Sequence, residues 1–520
     1  MDDLIKLALE TIQLQKQAMI FLPSRASAEK TAEDIAAVAQ GSQPELEHEV
    51  LRVVTSPTKQ CRRLSHCVKK GIAFHHSGLT GAQKELVEDA FREGKIKIIC
   101  ATPTLAAGVS LPAYRVIIKS LKRFSGGWGM DWIPVLEYLQ MAGRAGRPEY
   151  EKEGQAIIIA KDEAEKEELY EKYICGVPEE IYSKLAVEPV LRTYLLSLIA
   201  SGIIRDEQSM GEFFAQTFWA HQFQDLEKLQ EIMSRMLLLL EGWSFITVEG
   251  GTREDKAKND FVSANKLTTA KKEKAEKILR ATAIGKRISE LYLDPFTARH
   301  LLDCLSQFKK DKHSSFSLLQ MFCHTLEMRP LLQTKKREED LVQEELNKRF
   351  ELLLEKEPSV FDSDYGEFMN SIKTALFFEE WISEKDEDYL LEKFDIRPGE
   401  VKVKLDLAEW LLYSSEELAG ICQYHDAVTE IRKLRVRVQN GVKEELLPLL
   451  KLKGIGRVRA RRLYTAGVRD LGDVKNIDGT SLGQILGKAI AEDIQKQVGV
   501  ETVVEIPKGT RKGQLSLMKF

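Results

Sequence analysis

The first 165 residues alternate between short apolar runs and stretches of helical spacing. The runs 18–22 (AMIFL), 95–100 (KIKIIC), 114–119 (YRVIIK) and 155–160 (QAIIIA) read as strands. Helical segments lie between them, among them 25–39 and 81–93. Strands alternating with helices predict a parallel sheet with crossover connections. After about residue 166 strand signals become rare. Amphipathic stretches at 189–200 and 226–240 predict helices, 256–277 is a polar, lysine-rich loop, and 303–439 reads as almost wholly helical, with breaks near Pro330, Pro358 and Pro398. From 447 two more helices follow around a glycine-containing turn, and the tail from 507 is short and expected to be flexible. The predicted fold class is α/β followed by mostly α.

Composition narrows the class. The chain has 520 residues, 43% apolar and 30% charged. That excludes collagen-like, disordered and disulfide-framework proteins and allows three or four domains. Aliphatic stretches such as 236–240 fall far short of the roughly 20 residues that span a bilayer. Two aspartates after Met1, with no apolar segment behind them, do not read as a signal peptide. Seven cysteines without a CxxC pair predict reduced thiols in a cytoplasmic protein. The net charge of −4 gives no hint of nucleic acid, but it is uneven. Residues 441–520 hold 15 Lys and Arg against 9 Asp and Glu, a net of +6, which leaves −10 on the other 440.

The strongest chemical signal is QMAGRAGRP at 140–148. Arg144 and Arg147 each follow a glycine and lie three apart, so both can reach one polyphosphate. Arginine suits this because its planar fork stays charged and binds phosphate oxygens bidentately. The second signal is ATPTLAAGVSLPA at 101–113, directly after a predicted strand, where hydroxyls and backbone amides can meet a phosphate chain. Two weaker strings are FHHSGL at 74–79 and AMIFLPSRASAEK at 18–30, with Ser24 and Arg25 past the strand end. Adjacent His75 and His76 suggest a metal only weakly, because no third ligand is near in sequence.

In order, these strings resemble motif IV, the motif before V, motif V and motif VI of the second RecA-like domain of Ski-like superfamily 2 helicases. Further strings extend the resemblance over nearly the whole chain: VLEYLQMAGRAGRP, GEFFAQTFWAHQ at 211–222, LYLDP at 291–295 and AEWLLYS at 408–414. Together they look like the archaeal repair helicases related to the helicase domain of DNA polymerase theta. The resemblance implies that Arg144 and Arg147 reach ATP across a cleft, Arg147 as the finger proper. It implies that Gln140 senses nucleotide, that Gly108 and Gly143 belong to the nucleotide-binding loops, and that Thr102 with Gly108 couples nucleotide to the bound strand. Ser24 and Arg25 are then strand contacts.

Between motifs V and VI the family carries a duplex-splitting β-hairpin, which 119–133 (KSLKRFSGGWGMDWI) fits. Phe124, Trp128 and Trp132 are its candidate wedges, and Lys122 and Arg123 its candidate phosphate contacts. In the family's ratchet domain a tryptophan stacks on a base, and Trp410 matches it. A basic residue is expected two turns earlier, where this chain has Val403 between Lys402 and Lys404. Near the end, Gly454, Gly456 and Arg457, with Arg459, Arg461 and Arg462, look like a helix-hairpin-helix that meets a duplex backbone and carries the local positive charge. Gln514, Leu517 and Phe520 resemble a sliding-clamp-binding peptide. The implied partition is a RecA-like domain at 1–166, a winged helix at 167–302, a helical ratchet at 303–440, a helix-hairpin-helix at 441–506 and a tail at 507–520.

No GxxxxGK[ST] string occurs. GQILGKA at 483–489 has the wrong spacing, and the acidic run 386–388 follows no apolar strand. ATP and Mg2+ are therefore expected to be bound mainly by a first RecA-like domain outside this sequence, from a longer gene or a separate chain. By itself the chain is expected to lack ATPase activity. The implied function is 3′–5′ unwinding of single-stranded or forked DNA in repair or replication restart. The alternatives are a non-motor DNA-binding protein and a Ski-like RNA helicase fragment.

Overall fold

The computed structural model describes residues 2–54, 57–109, 111, 113–124, 130–146, 153–185, 187–224, 226–249 and 277–499. They form two compact units, one of residues 1–182 with 387–404 and one of residues 183–386 with 405–520.

The first unit is built on a five-stranded parallel sheet in the order β2-β3-β1-β4-β7. Its strands are β1 (Ala18–Phe21), β2 (Ile72–His75), β3 (Ile98–Ala101), β4 (Arg115–Ile118) and β7 (Gln155–Ile158). The four strands β1 to β4 are buried at every position, as expected where helices cover both faces of a parallel sheet. In register, Phe21 pairs with Ala101 and Ile118, and Ala101 with His75. The strings at 18–30, 74–79 and 101–113 therefore leave the sheet at one edge, the carboxyl ends of its strands. That is where ligands collect in open α/β sheets. Helices Arg25–Val38 and Gly81–Arg92 start with reciprocal caps at Ser24 and Thr80. Strand β2 was not predicted: IAFH reads as part of a motif rather than a strand, since two histidines mask its apolar run.

Two short arms, β5 (Lys122–Phe124) and β6 (Met130–Trp132), pair antiparallel outside the main sheet. The second unit is mostly helical. A two-stranded sheet joins β8 (Ile246–Glu249) to β9 (Ile278–Ala281), strands the sequence pattern did not single out. The helix Tyr365–Ile382 buries eleven residues, and Trp381 donates its indole N–H to the carbonyl of Val438 at 2.7 Å. Residues 442–494 hold a separate small core. Among the described residues no helix is long and apolar enough to cross a membrane.

Candidate functional site

At the carboxyl edge of the sheet the two strongest strings meet. Thr102 follows β3, its hydroxyl 2.9 Å from that of Thr104. Thr104 opens the short helix Thr104–Gly108, which leaves Gly108 exposed. The helix Val135–Ala142 presents Gln140 to solvent and ends at Gly143, whose amide donates to the carbonyl of Leu139 at 2.8 Å. The Arg144 guanidinium then donates to the carbonyl of Ala106 inside the other string. Backbone bonds lock the same junction: Ala113 N to Arg144 O at 3.1 Å and Gly146 N to Ala113 O at 2.9 Å. Gly146 is required there. Its φ is +65°, and a Cβ would lie 2.8 Å from the nitrogen of Gly154. The two strings are thus tied to each other by main-chain bonds.

A cleft of about 550 Å³ opens beside this junction, lined by Pro23, Thr104, Ser120, Lys122, Arg123 and Gln140 among others. The hairpin arms form one wall. Lys122 lies over the Trp132 ring, 3.9 Å from its centroid, and Lys172 flanks the same ring at 5.2 Å. Trp132 also packs edge-on against Tyr173 at 6.2 Å, so it is fixed at the root of the hairpin. Arg123 pairs with Glu137 at 2.9 Å. Among the described residues Glu137 is the one carboxylate lining the cleft and it is paired with Arg123, a poor fit for Mg2+. Arg147, Trp128 and the side chain of Phe124 lie outside the described residues.

A buried charge network sits next to the junction. His75 closes β2 and His76 follows it, and their rings reach different carboxylates. His75 Nε2 meets Glu88 at 2.9 Å, and His76 Nε2 meets Glu29 at 3.1 Å. The pair therefore cannot share a metal. The amide of Gly78 donates to His76 Nδ1 at 3.1 Å, which makes Nε2 the protonated nitrogen that donates to Glu29. Burial pushes the His76 pKa down. Burial would raise the Glu29 carboxyl, but donors from His76 and Gln60 and the charges of Arg397 and Arg63 hold it down at about 2.

Arg397 arrives from far along the chain. Residues 387–404 belong to this unit, and Arg397 Nε reaches Glu29 at 3.2 Å. Gly399 N donates to Gly78 O at 3.0 Å, and Lys59 N to Asp388 at 2.9 Å. Arg25, expected on a bound strand, is engaged by Glu400, while Ser24 caps its helix. Packing is tight enough that a Cβ on Gly399 would lie 2.4 Å from the Ser77 carbonyl. Neither Glu29 nor Arg397 carried a sequence signal, because the contact spans 368 residues.

In the helical unit, Trp410 lies on the helix Pro398–Ile421, half-buried, and donates its indole N–H to the carbonyl of Leu291 at 3.0 Å. The string LYLDP thereby holds the tryptophan. It also supplies Asp294, which caps the next helix and takes both arms of Arg192 at 2.6 and 2.8 Å. Val403 is exposed and Lys404 buried. At the basic end, Gly454 adopts φ +82° and Gly456 caps the helix Arg457–Thr465. Arg457 donates to the carbonyl of Lys385 at 2.7 Å and lies over Trp381, and Arg461 grips Glu384. Arg459 and Arg462 are the exposed arginines of that helix. Gln514, Leu517 and Phe520 lie outside the described residues.

Known proteins share these features. Residues 1–149 match the helicase conserved C-terminal domain, and residues 316–441 match domain 4 of archaeal helicases. An ATP-dependent DNA helicase Hel308 of Methanocella arvoryzae is 34% identical over 99% of this chain and 67% of its own length. The proteins of that name from Pyrococcus horikoshii and Pyrococcus abyssi are each 35% identical over 98% of the chain and 67% of their own lengths. The likeness spans both compact units. The chain belongs to the Hel308 family of archaeal superfamily 2, ATP-dependent DNA helicases.

Proposed function

We propose that this chain supplies the second motor domain and the strand-handling domains of a 3′–5′ DNA helicase acting on forked or single-stranded DNA. The junction of Arg144 with the loop after β3 carries this reading. It ties the Arg144 guanidinium to the carbonyl of Ala106, in the loop that opens at Thr102, beside a cleft lined by Lys122 and Arg123 of the hairpin. Arg144 and Arg147 would stabilise charge on a transferring phosphoryl group, with Gln140 reporting nucleotide. ATP and Mg2+ would be held mainly by a domain bearing the phosphate loop that these 520 residues lack, on the same or a separate polypeptide.

The finer partition follows the resemblance. The β8–β9 pair and its neighbouring helices support a winged helix within 167–302, and 303–440 a ratchet that stacks Trp410 on a base. Within 441–506, the Gly454 turn supports a helix-hairpin-helix, with Gly454 and Gly456 meeting a backbone phosphate. Arg459 and Arg462 are better placed there than Arg457. In the hairpin, Lys122 and Arg123 would follow phosphates, while Trp132 anchors and Phe124 and Trp128 wedge. The tail would bind a sliding clamp through Gln514, Leu517 and Phe520, and the kinship to the polymerase theta helicase domain belongs to the same reading.

The test combines the chain with a phosphate-loop domain from a relative and measures DNA-stimulated ATP hydrolysis and fork unwinding. The expected result is activity only in the combination, abolished by Arg144→Ala. Hydrolysis by the chain alone would overturn the division of labour. Fork binding without unwinding in the combination would favour a non-motor DNA-binding protein, and a preference for RNA forks an RNA helicase.

A further inference from the structure

The helical unit brings together two imidazoles and a carboxylate from three separate segments. His300 lies on the helix Pro295–Gln307, His324 closes the helix Ser315–Cys323, and Glu355 follows the turn Phe350–Leu352. One ligand atom from each lies within 4.8 Å of the other two. All three side chains are mostly buried. The strand-handling reading uses none of them.

Hydrogen bonding fixes which nitrogen of His300 is free. Its Nε2 lies 3.0 Å from the carbonyl of Met321. That carbonyl belongs to the last turn of its helix, where carbonyls have no internal partner. A carbonyl only accepts, so Nε2 carries the proton. In the neutral ring Nδ1 is then a lone pair, and it faces Glu355 Oε2 at 3.8 Å, while Cys304 Sγ lies 3.9 Å from both ring nitrogens. Two acceptors turned toward each other at that distance repel unless a cation lies between them. His324 Nδ1 stands 2.9 Å from both oxygens of the same carboxylate. Gln320, fully buried, gives its amide N–H to Glu355 and so helps hold the carboxylate in place.

We propose that His300, His324 and Glu355 bind a divalent transition-metal ion of the zinc class, with Cys304 one turn along the helix from His300 as the nearest further donor. A ring nitrogen held by a backbone carbonyl while the other turns inward is the usual support of a metal-bound histidine. Imidazole and carboxylate donors with a neighbouring thiol select zinc-like ions over magnesium or calcium. Tetrahedral zinc needs its donors about 3.4 Å apart, so closure asks for a shift of roughly 1 Å from the present spacing. The ion would clasp the Glu355 stretch to the two helices, a structural role in which a metal contributes directly to folding.

The experiment uses the full chain, stripped with a chelator and titrated with Zn2+ and then with Co2+ as a spectroscopic probe. The expected results are one tightly held Zn2+ per chain, a rise in melting temperature on adding it, and visible Co2+ bands of tetrahedral intensity. His300→Ala and Glu355→Gln should each weaken Zn2+ binding at least tenfold, while the exposed His48→Ala should leave it unchanged. If the variants fail to fold, the wild-type Co2+ spectrum and the chelator-dependent melting decide alone. Absence of stoichiometric Zn2+ in the wild type would overturn the proposal. So would equal binding by a folded His300→Ala chain, or a melting temperature that responds to pH through the imidazole range but not to Zn2+.

Discussion

Two histidine–carboxylate clusters, one in each compact unit, use the same residue types to opposite ends. Around Glu29 every neighbour is a donor: His76 Nε2, the Gln60 amide and the guanidinium groups of Arg63 and Arg397. The carboxylate is saturated with donors, its charge met by Arg397 and by Arg63, which it shares with Glu33. Around Glu355 the donors are Gln320 and His324, while His300 offers a lone pair. The carboxylate is held below its usual range, against its burial, chiefly by the hydrogen bond from His324. In one cluster the backbone donates to the imidazole, and in the other it accepts. That one difference decides which nitrogen faces the carboxylate with a proton, and so separates a closed structural hub from a cradle for a cation.

The largest effect should come from opening the closed cluster. Glu29→Ala would leave His76, Gln60 and two arginines facing a buried gap. Removing one partner of a buried ionic network typically costs about 3–5 kcal/mol. Chemical denaturation of the full chain should show this loss in the transition of the sheet unit. Glu29→Gln should cost less, since an amide oxygen still accepts. A Glu29→Ala chain as stable as the wild type would show that the hub is not cohesive.

Acid should separate the clusters next. The Glu29 carboxyl moves from 4.5 to about 2 on folding, so its contribution is fully present above 4.5 and is lost as pH falls toward 2. His76 is held neutral below its ordinary 6.5, so its contribution is present above 6.5 and declines as pH drops below it. Melting temperature measured from pH 7 downward should therefore fall in two stages. Glu29→Gln should remove the lower stage. With Zn2+ present, the helical unit should add a loss that disappears on chelation, because protons compete with the metal for imidazole. A single acid transition identical in Glu29→Gln and wild type would erase the contrast.

The legibility of these features follows sequence distance. Strands β1, β3, β4 and β7 were readable because an apolar run bounded by polar residues is a local signal. Arg144 stood out because glycine and arginine spacing is local too, but its bond to Ala106, 38 residues away, was not readable. Glu29 with Arg397, and His300 with His324 and Glu355, were not, because each charge looks like an ordinary surface residue until the chain folds. Residues 387–404 show the same limit. The break expected near Pro398 is present, between the helices Glu387–Phe394 and Pro398–Ile421, where proline fits a first turn whose N–H needs no partner, but the docking of this stretch on the sheet unit gave no local signal. The hairpin was legible as two arms around a glycine pair, but the packing of Trp132 on Tyr173 rather than in solvent was not.

Glu355→Gln should weigh less on stability than Glu29→Ala, by the same logic that distinguishes the clusters. The amide keeps an acceptor for His324 and removes the charge that repels the His300 lone pair. The expected loss is about 1 kcal/mol in the stripped protein, the scale of one hydrogen bond. In the zinc-loaded protein the same change should remove the metal's whole contribution. A variant that melts equally below the wild type with and without Zn2+ would place Glu355 in a purely structural role.

The smallest stability effect belongs to Trp410, where a backbone carbonyl orients a ring as Met321 does for His300. Trp410→Phe loses the bond to Leu291 O and little else, so about 0.5–1.5 kcal/mol should go. Its effect on DNA should be unlike that of Trp410→Ala. Stacking a base on an aromatic face is worth about 1–3 kcal/mol, so phenylalanine should retain most single-strand affinity and alanine should lose roughly tenfold or more. Titration of an oligonucleotide onto both variants, beside their melting temperatures, separates the two contributions. If Trp410→Ala binds single strands as the wild type does, Trp410 is a packing residue whose N–H merely satisfies a carbonyl. If it loses affinity while Trp410→Phe keeps it, the Leu291 carbonyl is what holds a stacking platform in place.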